Sequence, residues 1–182
     1  MAQAHSGDGD AAIPAGAARL AERIAAALEQ TRFDPQHGGE LFLRADAEKG
    51  IRAAFGDAVR IAAAGRDDPE VRPAGFLGAR FRPDLVVQSA GGEQVAVTIT
   101  LLRADAGPVA SALAGALVLA GRYQAVVAFI LDRRLERRGP FDEPATDVGP
   151  RALSEAEQAL IDRLWRQGIR VAVRRQDPFG WD

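Results

Sequence analysis

Hydrophobic residues recur at helical spacing along the first third of the chain. Leu20, Ile24 and Leu28 fall at positions i, i+4 and i+8, which predicts an amphipathic helix over residues 15–31. The apolar residues between Glu40 and Phe55 also share one helical face, so a second helix is predicted there. A short segment rich in proline and glycine separates the two helices.

The middle of the chain carries the clearest strand pattern. Residues 81–88 (FRPDLVVQ) and 94–102 (QVAVTITLL) are β-branched and apolar, and the turn sequence SAGGE joins them. Two such segments joined by a short glycine-containing loop are typical of an antiparallel hairpin. A short strand is predicted around Val59 and Ile61, and the residues 66–80, rich in glycine, proline and charge, are predicted to form a loop.

Helices and strands alternate in the second half of the chain. A helix of small residues is predicted over 108–120, a strand buried on both faces over 125–131, and a last strand over 169–173. Ser154 and Glu157 have the spacing of a capping box, which predicts that a helix begins there. This order of elements predicts an α/β fold with a mixed central sheet flanked by helices.

Length and composition limit the classes of protein to consider. The chain has 182 residues, a formal net charge of -2 and no cysteine. These values fit a single globular domain and exclude disulfides and zinc–thiolate sites. They give no support to a protein that coats nucleic acid through its overall charge. We therefore expect a cytoplasmic protein.

The same features predict the domain boundaries. Residues 1–14 lack the apolar core of a signal peptide and are predicted to be a disordered tail. Residues 15–176 are predicted to form a single domain, and residues 177–182 a second tail. The apolar region 107–131 is interrupted by polar residues before it reaches the roughly 20 residues that a membrane-spanning helix needs. We expect a buried helix, a turn and a buried strand there.

The predicted hairpin brings an acidic residue and two threonines together. If Gln88 pairs with Gln94, then Asp84 lies opposite Thr98. Thr100 lies on the same face, two residues further along the strand. Three polar side chains would therefore share one face of the hairpin.

The order of these elements resembles the core of the PD-(D/E)XK, or restriction-endonuclease-like, nucleases. The resemblance covers residues 40–132, with Pro83-Asp84 at the start of the hairpin. It implies an acidic residue at the position of Thr98, a lysine at the position of Thr100, and Mg²⁺ or Mn²⁺ held by the acids. Threonine supplies neither charge, and a lone carboxylate binds Mg²⁺ weakly. We expect a degenerate site that retains Asp84 alone and holds no cofactor.

Three residues of the second predicted helix are candidates to replace the missing groups. Glu40 and Glu48 lie on the helix that carries an extra acid in some members of the family, and Lys49 is the only lysine of the chain. If they act with Asp84, the chain would bind Mg²⁺ or Mn²⁺. We favour the alternative that all three lie on a solvated helix face. Asp84 is either a vestigial metal ligand or a strand-start residue satisfied by backbone N–H groups.

Arginine residues follow two of the predicted strands. The cluster consists of Arg133, Arg134, Arg137, Arg138, Arg174 and Arg175. If the two strands are parallel neighbours, all six lie at one end of the sheet, where they could bind phosphate groups. Nearby acidic residues dilute the charge, so we favour a solvated rim instead.

The remaining chemistry is sparse. Neither His5 nor His37 has an Asp–Ser partner in the sequence that would complete a hydrolase triad. Phe179 and Trp181, in the last six residues, are unusual for a solvated tail. We expect them to dock on the domain or on a second subunit, and the sequence leaves both open.

Three functions are consistent with these patterns. The first, which we favour, is a catalytically inactive or severely weakened nuclease-like domain that acts as a protein-interaction or assembly module. Its partner would be a second copy, in a homodimer, or another protein. The second is a metal-dependent nuclease with relocated catalytic groups. The third is a non-catalytic nucleic-acid binder that uses the arginine cluster, and its binding would be sensitive to salt.

Overall fold

The computed structural model describes residues 13–34, 36–37, 39–66, 68–103, 107–133 and 153–176. Both predicted tails lie largely outside these residues. The helices are α1 (Ala15–Gln30), α2 (Glu40–Phe55), α3 (Gly107–Ala120) and α4 (Glu155–Arg166). The strands are β1 (Val59–Ala63), β2 (Ala74–Phe76), β3 (Ala79–Phe81), β4 (Leu85–Ser89), β5 (Gln94–Leu102), β6 (Ala125–Asp132) and β7 (Ile169–Arg175).

A five-stranded mixed sheet forms the centre of the fold, with the strand order β1-β4-β5-β6-β7. β1 pairs antiparallel with β4, and β4 pairs antiparallel with β5. β5, β6 and β7 are parallel neighbours. The α/β class and the mixed sheet are thus confirmed. Parallel neighbours need a crossover connection, and α3 and α4 provide the two crossovers.

Helices cover both faces of the sheet. One core cluster joins α1 and α2 to side chains such as Val97 and Phe129, and the other joins α3 to side chains such as Ala96 and Ile130. Neighbouring residues of one strand belong to different clusters because successive side chains point to opposite faces. β6 is buried along its whole length, as predicted. Within the described segments, no helix is long and apolar enough to cross a membrane.

Specific residues fix the two ends of α4. The Glu157 N–H donates to the Ser154 hydroxyl, and the Ser154 N–H donates to the Glu157 carboxylate at 2.8 Å. The predicted capping box is therefore confirmed, and it satisfies backbone donors that have no partner within the helix. Gly168 adopts a φ of +80° between α4 and β7, and its carbonyl accepts the Val126 N–H at 2.8 Å.

The segment 66–80 differs from its prediction. Instead of a loop it contains β2 and β3, which form a separate two-stranded antiparallel sheet. Leu77 and Gly78 make the turn with φ values of 47° and 84°, as two-residue hairpin turns with positive φ require. The prediction of one strand over 81–88 was also wrong in part, because the chain leaves β3 at Phe81 and begins β4 only at Leu85.

Candidate functional site

A cleft between α2, α3 and the central sheet contains the residues of the resembled motif. Its volume is ≈ 630 Å³. Glu40 lines it from α2, and Ser111 lines it from α3. Asp84, Thr98 and Thr100 line it from the hairpin of β4 and β5. The cleft thus brings together polar side chains that are far apart in the sequence.

The register of the β4–β5 hairpin is the one that the turn predicts. Gln88 pairs with Gln94. The Asp84 N–H donates to the Val97 carbonyl at 2.8 Å, one position before β4 begins. Asp84 therefore lies beside Thr98, and the predicted register is confirmed.

Both carboxylate oxygens of Asp84 accept hydrogen bonds from the protein. Arg44 Nη2 donates to Oδ1 at 3.1 Å, and the Ile99 N–H donates to Oδ2 at 2.7 Å. The Arg44 guanidinium is fixed by a second bond, from Nη1 to the Ala64 carbonyl at 2.7 Å. The Arg44 and Asp84 side chains are 16% and 19% exposed. Asp84 is therefore satisfied by a backbone N–H, which agrees with one of the two interpretations given above. It is also bound by Arg44, which neither interpretation included.

The electrostatics of this carboxylate follow from its surroundings. Burial raises the pKa of Asp84 above its ordinary value, because removal from water penalises the charged form. The Ile99 N–H and the Arg44 guanidinium act in the opposite direction, and the negative charge of Glu40 raises the pKa further. Desolvation has the largest effect, so the folded protein favours the neutral acid more than water does.

The donors that line the cleft do not suit Mg²⁺. This cation prefers carboxylate and water oxygens in an octahedral arrangement. Among the described residues, Asp84 and Glu40 are the only acids that line the cleft, and the first already binds a guanidinium. No group of three or more acidic, histidine or cysteine side chains that could hold a metal occurs in the part of the chain that the structure describes. The buried hydroxyl of Thr98 has no hydrogen-bond partner, but it supplies no charge.

The two other candidates for relocated catalytic groups lie away from the cleft. The Glu48 carboxylate binds Arg52 at 2.9 Å and Arg66 at 3.1 Å. Glu48 is only 8% exposed, so the prediction that it lies on a solvated helix face is wrong. Lys49 is exposed and lines a different groove, beside the end of α1. Of the three candidates, only Glu40 shares the cleft with Asp84.

The strands that precede the arginine cluster are parallel neighbours, as the clustering required. Asp132 of β6 lies beside Arg175 of β7. Arg174 donates to the Glu29 carbonyl at the end of α1. Arg134, Arg137 and Arg138 lie outside the described residues.

Arg133 is engaged inside the protein. It is 5% exposed, and its Nη2 donates to the Gln176 side chain at 2.9 Å. Its guanidinium also donates to the carbonyls of Asp34 at 2.8 Å and His37 at 2.7 Å. Burial lowers the pKa of Arg133, and the nearby Arg103 acts in the same direction. Arg133 therefore connects the end of β7 to the segment before α2 and is not presented to a nucleic-acid backbone.

Two features of the surface escaped prediction from the sequence. The first is Arg44, whose partner Asp84 lies 40 residues away. The only feature of the sequence that relates Arg44 to the cleft is its position one turn after Glu40, which places both residues on the same helix face. The second is an apolar groove of ≈ 900 Å³ between the β2–β3 hairpin and α3, lined by Phe76, Leu77 and Leu117.

No family model, curated protein or solved structure matches this chain. The assignment of a function therefore depends on the residues and their geometry.

Proposed function

We propose that the chain is a degenerate PD-(D/E)XK nuclease-like domain that does not cut nucleic acid and acts as a protein-interaction module. The element order, the mixed sheet and the register of Asp84 against Thr98 support the resemblance. The observation that best supports the lack of nuclease activity is the contact of the Arg44 guanidinium with Asp84, the carboxylate that would otherwise hold a metal.

The charge of Arg44 opposes the binding of a divalent ion at Asp84. Arginine is a permanent cation, so a divalent ion would have to displace Arg44 from Asp84 against charge repulsion. The two threonines offer no second acid for the ion and no ammonium group for the reacting phosphate. Each preorganised charged group of this kind contributes on the order of 3–4 kcal/mol to transition-state stabilisation. Loss of two such groups leaves no efficient route to hydrolysis by the inherited mechanism.

Glu40 supports a second candidate function, a metal-dependent nuclease with a relocated acid. It lines the same cleft as Asp84, and its charge acts on the Asp84 carboxyl group. Two carboxylates in one cleft match the one or two that commonly hold Mg²⁺ in proteins. This candidate requires that Arg44 leave Asp84 when the ion binds.

A cleavage assay separates the two candidates. Single-stranded DNA, double-stranded DNA and RNA are incubated with the protein in Mg²⁺ or Mn²⁺, beside Asp84→Ala and Glu40→Gln. We expect no cleavage by any of them. Metal-dependent cutting by the natural sequence that both variants lose would establish the nuclease and refute the first proposal.

A restored site provides the positive control. Thr98→Glu combined with Arg44→Ala supplies a second acid beside Asp84 and removes the competing cation. We expect calorimetry to detect Mn²⁺ binding by this double variant and none by the natural sequence. Equal binding by both proteins would show that Arg44 does not block the site.

The apolar groove supports the interaction role. Phe76, Leu77 and Leu117 are 61%, 91% and 51% exposed and line the same groove. Exposed apolar residues gathered in one patch mark interaction surfaces more often than isolated ones do. Leu77 also has a φ of 47°, a conformation that glycine or asparagine adopts at lower cost. The leucine thus contributes no evident stability to its own turn.

Self-association is the first form of this interaction to test. Sedimentation velocity over a wide concentration range is compared for the natural sequence and for Leu77→Asp. Leu160→Asp is the matched control, because Leu160 is 48% exposed on α4, outside the groove. We expect the Leu77 variant alone to weaken association. A natural sequence that stays monomeric throughout excludes the homodimer and makes another protein the partner.

A further inference from the structure

An exposed apolar surface lies at the start of α2, apart from the hairpin groove. Leu41 and Phe42 are 69% and 54% exposed. The Phe42 ring stacks on His37, with ring centroids 4.9 Å apart. The stacking places one face of the Phe42 ring against the imidazole, and the residue remains 54% exposed.

The chain leaves β7 beside this surface. The Gln176 side chain donates to the Phe33 carbonyl and accepts from Arg133. The same guanidinium donates to the His37 carbonyl at 2.7 Å. Gln176, the last described residue, is therefore connected through one buried arginine to the residue on which Phe42 stacks.

The segment that follows, residues 177–182, has the sequence DPFGWD. Phe179 is the third and Trp181 the fifth residue after Gln176, so an extended backbone carries them roughly 10 and 17 Å from it. Both therefore come within reach of the surface beside His37. We propose that residues 177–182 pack onto Leu41 and Phe42 of the same molecule through Phe179 and Trp181.

Tethering favours this occupant over a second copy, and the charge of the segment fits its surroundings. A segment held at Gln176 meets the surface at the millimolar effective concentration typical of a short linker, whereas a second copy loses translational freedom on binding. Asp177 and Asp182 are acidic, and the exposed Arg103 lies near Arg133 at this end of the sheet, where its positive charge attracts them. The segment would also lie along the rim of the cleft that contains Asp84, since Glu40, which precedes Leu41, lines that cleft.

A single spin label tests the proposal. The chain contains no cysteine, so Asp182→Cys carries one nitroxide. In ¹⁵N-labelled protein we expect the amide signals of Leu41 and Phe42 to lose most of their intensity, while those of Leu77 and Gly78 in the β2–β3 hairpin do not. The same label on Phe179→Ser/Trp181→Ser is the matched control, and we expect the Leu41 and Phe42 signals to recover at least severalfold.

Two outcomes would overturn the proposal. Equal intensities at Leu41 and Leu77 in the labelled protein would show that the segment does not reach the surface. In a second sample, ¹⁵N protein without a nitroxide is mixed with ¹⁴N protein that carries one. Loss of the Leu41 signal there would show that the segment docks on a second copy instead. The remaining amide signals report in each variant whether the domain is folded, so a misfolded variant is recognised directly.

Discussion

The ion pair between Arg44 and Asp84 allows the role of the site to be tested quantitatively. Arg44→Met keeps most of the aliphatic stem and removes the guanidinium, which leaves the Asp84 carboxylate with the Ile99 N–H as a donor. Breaking a buried pair costs about 3–5 kcal/mol, and solvent screening reduces this at side chains that are 16% and 19% exposed. We expect a loss of about 2–3 kcal/mol, which lowers the melting temperature by roughly 5–10 °C in a domain of this size.

A double-mutant cycle isolates the interaction itself. Asp84→Asn removes the charge, and its amide oxygen still accepts a hydrogen bond from the Ile99 N–H. We expect this variant to lose about 1 kcal/mol. The double variant should be more stable than the sum of the single losses predicts, by about 1–2 kcal/mol, because neither charge is left alone. Urea unfolding at pH 7 measures all four proteins. Single losses that add within about 0.5 kcal/mol would show that Arg44 and Asp84 do not interact in the folded protein.

The pH dependence of the same cycle provides a second measurement. The pKa of Asp84 is raised, so the folded protein holds this proton more tightly than the unfolded chain. The free energy of unfolding relative to Asp84→Asn should therefore fall as pH rises from the ordinary carboxyl value of 3.8 through the raised pKa. Arg44 lowers this pKa, so in Arg44→Met the fall should extend to higher pH. If the stability difference between the natural sequence and Asp84→Asn stays constant across this range, burial does not raise the pKa of Asp84.

Three further predictions concern residues outside the cleft. Arg133→Met should cost about 3 kcal/mol in thermal unfolding, because it removes buried hydrogen bonds to Gln176 and to two carbonyls, while retention on a heparin column stays the same. Leu77→Asn should gain about 1 kcal/mol in urea unfolding, since the residue has a φ of 47°; a loss instead would mean that the leucine packs within the fold. Ser154→Ala should lose about 1 kcal/mol, because the Glu157 N–H then loses its capping partner.

Elements that carry a repeated pattern could be predicted from the sequence. α2 begins at Glu40 and ends at Phe55, as its apolar periodicity indicates. The register of Gln88 against Gln94 follows from the glycine-containing turn between them, because a short turn leaves little freedom in pairing. The continuous burial of β6 follows from its unbroken apolar sequence. In each case the information lies within one local segment.

What could not be predicted depends on contacts between distant segments. Strands of three residues, such as β2, are too short to show an alternating pattern. Nothing near Arg133 indicates that it is buried, since its partners lie 43 to 99 residues away. The pairing of Arg44 with Asp84 likewise spans 40 residues. The positions of Asp84, Thr98 and Thr100 could therefore be predicted from the sequence, whereas the arginine that binds the acid could not.

The need for that cation follows from the position of Asp84. A carboxylate largely removed from water requires a positive partner or a proton, and one backbone N–H compensates only part of its charge. A metal ion could meet this requirement, but only while it is bound, whereas Arg44 is covalently part of the chain. The fold should then owe nothing to divalent ions, because ligands stabilise a protein only when they bind its folded state. We expect the same melting temperature in excess EDTA and in millimolar Mg²⁺. A rise in Mg²⁺ that Asp84→Asn abolishes would show that the ion can take the place of the arginine.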